Sequence, residues 1–282
     1  MSAADSISMR DALYEAPGPR TRHRIVVGTV VTSVAIVAVV AWVVARLYAM
    51  GQFDPRYWYF FAQWSTWRFL LRGLVGTAEV ALCAGAIALV LGILFMLGRI
   101  SRNRVVSTVF RVVINFFRGI PSLLLIYFFF LVIPSYGIKM PSFWMLTLPI
   151  ALTASGVLAE VFRAGVNAVP KGQREAALSI GMTEGKVMRK IILPQAIRYV
   201  IPSLISQLVV VVKDTSVAYV VSYPDLLQNA RVLISNYDAL VSVYFVVAII
   251  YILVNYAINQ WAVSVARRSG TKVVTRSQEN PV

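Results

Sequence analysis

Cysteine and histidine are nearly missing from this sequence: Cys83 and His23 occur once each among 282 residues. A lone cysteine cannot close a disulfide within the chain, so the fold owes nothing to oxidation. Cys83 lies inside an apolar run with no basic partner to activate it, which argues against a thiol nucleophile. His23 sits in a basic N-terminal stretch and reads as a flanking charge, and no cluster of metal ligands stands elsewhere. Acids are scarce as well, with 12 Asp and Glu against 27 Lys and Arg and a formal net charge of +15. The phosphate cradle of an ATPase, Gly, four residues, then Gly-Lys-Ser/Thr, is also missing. The nearest stretch, Gly181 to Val187, is one residue short and ends in a side chain with no hydroxyl for magnesium. The chain is therefore expected not to hydrolyse ATP and to carry no cofactor. A membrane enzyme is disfavoured too, because no nucleophile–base set is visible.

What is present is apolar. Hydrophobic residues make up 59% of the chain and charged residues 14%, well below the usual share in soluble domains. With uninterrupted apolar runs this predicts an all-α integral membrane protein. Twenty of the 27 basic residues fall in segments 10–24, 99–118, 163–198 and 267–276. These alternate with charge-poor stretches, as the positive-inside rule expects of cytoplasmic segments. The basicity is therefore topology, with some attraction to anionic lipid, and no nucleic-acid partner is implied.

Six spans are expected, with both termini in the cytoplasm. Residues 1–24 form a polar segment, and Ile25–Ala45 is a run of 21 uncharged residues, about 31 Å as helix and enough to cross. Its length argues for a retained helix rather than a cleaved signal. Residues 49–71 carry aromatics from Phe53 to Phe69 and read as an outer interfacial segment. The second span runs from about Arg72 to Gly98 with one carboxylate, Glu79, and a basic loop 99–118 follows. A break at Gly119-Ile120-Pro121 opens the third span, to about Ile138. The fourth covers about Phe143–Arg163, with Pro149 as a kink. The fifth runs from Tyr199 to Ser222, interrupted at Lys213-Asp214-Thr215-Ser216. The last, Ala239–Ala266, holds Asn255 and Asn259 one turn apart, suited to bonding across a helix interface. A tail, 267–282, closes the chain.

The polar segment 170–198 is the one that organises the rest. Ala and Leu favour a short helix over Glu175–Ile180, and Gly181 suits the left-handed residue that ends one. A second helix is expected over Glu184–Ile192, ended by Pro194. Val187, Met188, Ile191 and Ile192 share one face, which should be buried. Glu175-Ala176-Ala177, three residues, Gly181, nine residues, then Ile191-x-Leu193-Pro194 resembles the EAA loop of permease subunits of bacterial ABC importers, with every motif position kept. Phe117-Arg118-Gly119-x-Pro121, Ala159-Glu160-x-Phe162-Arg163, Val169-Pro170-Lys171-Gly172-Gln173 and Lys213-Asp214-Thr215-Ser216 are similar to the polar amino-acid branch. One departure is Ala154 before Ser155, where relatives often have Asn.

The resemblance covers about residues 72–266, and implies a type I permease core of five helices plus an extra N-terminal helix at 25–71. It also implies ABC ATPase subunits, a second permease chain or copy, and an external amino-acid-binding protein as partners. Glutamate, or another polar amino acid, is the substrate class it points to. Glu175, Ala176, Ala177, Gly181, Ile191, Leu193 and Pro194 would form the lever that meets the ATPase.

Charged groups inside spans cost ~2.5–3.5 kcal/mol each at a helix centre, so each is a functional candidate. Glu160 and Arg163 stand three apart and suit an ion pair. Lys213 and Asp214 point about 100° apart on a helix. Glu160, Lys213, Asp214, Thr215 and Ser216 are the candidates for a substrate pathway. The alternative is an ion-coupled secondary transporter using Glu160 or Asp214. Such folds often show two broken helices in inverted repeats, and the sequence offers one candidate break.

Overall fold

A computed structural model describes residues 18–268; the tail beyond Arg268 and most of the N-terminal segment lie outside the described residues. The described chain is helical and falls into two units, 1–58 and 59–282. In the first, α1 (Pro19–Ala49) starts with a proline at its first turn, where the missing N–H costs nothing. Its Val, Ile and Trp42 side chains are exposed all round, the pattern of a helix whose solvent is lipid. A turn at Gly51 and a short 3-10 helix capped by Asp54 follow, with the Asp54 side chain accepting from the Arg56 amide at 2.9 Å.

The second unit contains α2 (Trp64–Arg99), α3 (Arg104–Gly119), α4 (Ser122–Ser135), α5 (Ser142–Ala168), α6 (Lys171–Ser179), α7 (Glu184–Val221), α8 (Leu226–Tyr237) and α9 (Leu240–Arg268). α2 is 36 residues long, about 54 Å, more than the ~30 Å hydrocarbon layer. A stripe of small residues including Gly76, Thr77, Ala81, Ala84 and Ala88 is buried along it, which allows neighbouring backbones to approach closely. The core sits where α2, α5 and α7 meet, around Val80, Ala84, Ile150, Leu158, Phe162 and Val211.

Several expectations are corrected. The basic stretch 99–118 is not a loop, because Asn103 caps an amphipathic helix there, its side chain accepting from the amides of Val105 and Val106 at 2.9 and 3.4 Å. The break at Pro121 is real: α3 and α4 meet at 97°. Residues 64–71 belong to α2 rather than to an interfacial segment. Five helices can cross a membrane alone, and the bent α3–α4 pair gives a sixth.

Pro194 does not end a helix. Residues 184–221 form one helix of 38 residues, with a π-helical stretch at Met188–Ile192 just before the proline. A proline inside a helix lacks an N–H and its ring crowds the carbonyl four residues back. The wider π turn relieves that crowding, and α4 repeats the device at Phe128–Val132 before Pro134. Asn255 bonds within its own helix, Nδ2 donating to the Tyr251 carbonyl at 2.8 Å, rather than across an interface.

Candidate functional site

At one end of the bundle, α6 is a nine-residue helix lying outside the main core. Its end is built as expected. Gly181 adopts φ +81°, the Gly181 amide donates to the Leu178 carbonyl at 2.9 Å, and the Met182 amide donates to the Ala177 carbonyl at 3.2 Å. That pair of bonds satisfies two carbonyls the helix would otherwise leave open. Glu175 and Ala176 face outward, exposed, while Ala177 is buried. Ala177 packs with Val169, Val187, Ile192 and Ala196 in a small separate core flanked by Met188 and Ile191. The apolar face expected from the sequence is therefore the anchor of α6, and Ile191, Leu193 and Pro194 lie in the first turns of α7 rather than on α6 itself. Leu193 is half-buried and Pro194 exposed.

An ion cluster crosses the same end. Glu184 Oε1 accepts from Arg174 Nη2 at 2.7 Å and from Arg102 Nη2 at 2.8 Å, and Oε2 accepts from Arg174 Nε at 3.1 Å. The hydrogen bond to Glu184 pushes the Arg174 guanidinium further up from its already high value. Sequence reasoning placed Glu184 only as a helix-start charge. Partners ten residues away and on another loop carry no local signal.

The candidate pathway residues occupy two depths. Glu160 and Arg163 pair as expected, with Oε2 accepting from Nε at 2.8 Å and Nη2 at 2.6 Å. α5 and α7 run antiparallel, with Gly165 packed on Ala196 and Val200. Counting along α7 from that contact puts Asp214 on the order of 15 Å above the level of Glu160, at 1.5 Å per residue. The structure thus does not bring Glu160 together with residues 213–216. Around those four, the α-helix tightens into a 3-10 helix at Thr215–Val221. Thr215 is fully buried and its hydroxyl donates to the Val212 carbonyl at 2.9 Å. Lys213 is exposed while Asp214 and Ser216 are half-buried, in keeping with their different directions.

A polar cluster at the opposite end was missed from the sequence. Asp225 is buried and caps α8, its Oδ1 accepting from the Gln228 amide at 2.7 Å. Thr77 Oγ1 accepts from the Leu226 amide at 3.1 Å, Asn229 Nδ2 donates to the Phe69 carbonyl at 2.8 Å, and the Tyr223 hydroxyl donates to Glu79 Oε2 at 3.2 Å. Burial pushes the Asp225 carboxyl up to about 6. The available signal was Asp225 followed three residues later by Gln228, a helix-start pattern.

The comparisons with known proteins agree on one family. Residues 88–270 match the family of binding-protein-dependent transport system inner membrane components. The chain is 33% identical over 240 residues to the glutamate transport system permease protein GluD of Corynebacterium glutamicum, covering 82% of this chain and 88% of that protein. It is 32% identical over 200 residues to the probable glutamine ABC transporter permease protein GlnP of Bacillus subtilis, covering 71% and 91% respectively. Among solved structures, an amino acid ABC transporter crystallised with histidines superposes with a TM-score of 0.70 at 28% identity, over 74% of this chain and 98% of that one.

Proposed function

Because the chain belongs to the family of binding-protein-dependent transport system inner membrane components, we propose that it is the membrane-spanning subunit of an ATP-driven importer of polar amino acids, acidic amino acids or their amides foremost. The observation that carries the proposal is α6: a short helix closed by Gly181 at φ +81°, with Glu175 and Ala176 exposed and Ala177 anchoring it. An exposed helix anchored on one side only is suited to be gripped by a partner and moved as a rigid body. The partner is an ATPase subunit, since this sequence lacks a phosphate cradle. Two permease chains, equal or different, two ATPases and an external binding protein make up the working assembly, in contact with membrane lipid. The chain resides in the bacterial cytoplasmic membrane, with both termini and the α6 end in the cytoplasm.

Glu160 and the Lys213–Ser216 segment line the route as two successive stations. A zwitterion needs acceptors for its ammonium and donors for its carboxylate. Asp214 offers the first, and Lys213 with the hydroxyls of Thr215 and Ser216 offers the second. An ion-coupled transporter would need Glu160 or Asp214 as its ion site. Glu160 is already held by Arg163, and family membership favours ATP. The test is co-purification followed by reconstitution: an ATPase subunit should come down with the chain, and the assembly should accumulate labelled glutamate or glutamine only with ATP and the binding protein. Uptake driven by an ion gradient without an ATPase would overturn the reading.

A further inference from the structure

Four features of the α6 end bear on how a push on α6 reaches the bundle. First, α6 is packed only through its second half, where Ala177 is buried; its first turn, from Lys171 to Arg174, is exposed. Second, a cleft of about 540 Å³ lies between that first turn and the bundle, lined by Leu97, Ile100, Val166, Val169 and Val187 among others. Side-chain packing therefore does not set the separation there. Third, Arg102, Arg174 and Glu184 stand on the wall of this cleft, and the Glu184 carboxylate accepts from both arginines. Fourth, the three residues come from three backbone segments: Arg102 from the α2–α3 turn, Arg174 from α6 and Glu184 from the first residue of α7.

We propose that Glu184 is a positioning residue for coupling, a carboxylate node that holds the first turn of α6 at a fixed distance from α7 and from the α2–α3 turn. The proposal rests on the reading of α6 as the ATPase-facing lever. Without the node, α6 would hinge about Ala177, and part of each push would be lost as rocking instead of moving α7. An exposed ion pair alone does little. Here one carboxylate takes a two-bonded guanidinium and a second cation, an arrangement with defined direction.

Two measurements test it. Spin labels at Gly172→Cys and Tyr199→Cys, both exposed sites, in a Cys83→Ser permease held in lipid nanodiscs, report the spread of distances between α6 and α7. Glu184→Ala and Glu184→Gln should each broaden that distribution at least twofold, with Gln retaining hydrogen bonds but not charge. An unchanged width in Glu184→Ala overturns the node whatever the protein transports. In the reconstituted importer, the ATP hydrolysed per amino acid imported should rise at least threefold in Glu184→Ala and in Arg174→Ala. The double variant should be no worse than either single one, because both remove the same contact. A broadened distribution with an unchanged ratio also overturns the positioning role. If the wild-type assembly imports nothing, the transport reading fails instead, and the width of the distribution decides the node alone.

Discussion

Two glycines of the α6 end stand in open space, and the same substitution at each should have opposite effects. A methyl group at Gly172 or at Gly181 would meet nothing within 4 Å, so neither Gly→Ala change is decided by packing. Gly172 lies within α6, where alanine is the better residue by roughly 0.5–1 kcal/mol. Gly181 holds φ +81°, where an L side chain costs about 1–2 kcal/mol. The predicted gap between Gly172→Ala and Gly181→Ala is thus ~2 kcal/mol in the local stability of α6. At 1.4 kcal/mol per factor of ten, that is about thirtyfold in the fraction of time the helix is open. Amide hydrogen exchange over residues 173–180, in detergent or nanodiscs, reads it directly. Gly172→Ala should slow exchange two- to fivefold and Gly181→Ala should speed it five- to thirtyfold. Shifts of the same sign in both would refute the account of how α6 ends. Gly181→Ala should also lower substrate-stimulated ATP hydrolysis, since a frayed helix end fits a partner's cleft less well.

Three further outcomes are expected. A cysteine replacing Lys186 in a Cys83-free chain should resist a membrane-impermeant maleimide in intact cells and react after permeabilisation; ready labelling from outside would reverse the topology. Gly76→Leu would place its Cβ 2.5 Å from the Pro224 carbonyl oxygen, so it should lower stability by ~1–3 kcal/mol, seen as an earlier thermal transition of the extracted protein, with a wild-type transition counting against the α2–α8 seam. Asp225, outside the spanning helices, has its carboxyl raised to about 6 against ~3.9 unfolded, so its protonated form favours the fold below pH 4 and that contribution is lost as pH rises through 6; Asp225→Asn, which keeps a capping oxygen, should match wild type at pH 4 and exceed it at pH 8 by at most about 3 kcal/mol, and an equal margin at both pH values would exclude titration of this group.

The spans were legible because lipid leaves the backbone few options: a long apolar run must be a helix. The α6 end was legible for a different reason, since Gly181 and the Val187–Ile192 face act through neighbours in sequence. What the sequence hid was long-range. Thr77 and Leu226 are 149 positions apart, and Asn229 and Phe69 are 160 apart, so no local pattern announces that α8 is fastened to α2. The basic charges of 99–118 suggested a loop, yet Asn103 and the valines after it carried a helix-start signal that charge counting overrode. Pro194 misled because a proline's usual effect assumes ordinary α-helical geometry on its N-terminal side. The separation of Glu160 from Asp214 in depth depends on the antiparallel register of α5 and α7, which only the contact at Gly165 reveals.

That register, with the unbroken length of α7, bears on how the two ends of the molecule communicate. α7 begins at Glu184, beside α6, and ends at Val221, beside the Asp225 cluster, 38 residues later. At about 1.5 Å per residue this is roughly 57 Å. A helix stopped at Pro194 would have put a loop between lever and bundle, and a loop transmits little force. The π turn at Met188–Ile192 keeps the helix continuous through the proline, so displacement of the α6 end must tilt or shift α7 as one body. The far end yields differently. There the 3-10 turns of Thr215–Val221 have poorer hydrogen-bond geometry, and the chain then reverses at Ser222, whose φ is +51°. A stiff rod ending in a softer segment concentrates its movement at the soft end, and in α7 that end carries Asp214, Thr215 and Ser216, the groups proposed to meet the substrate.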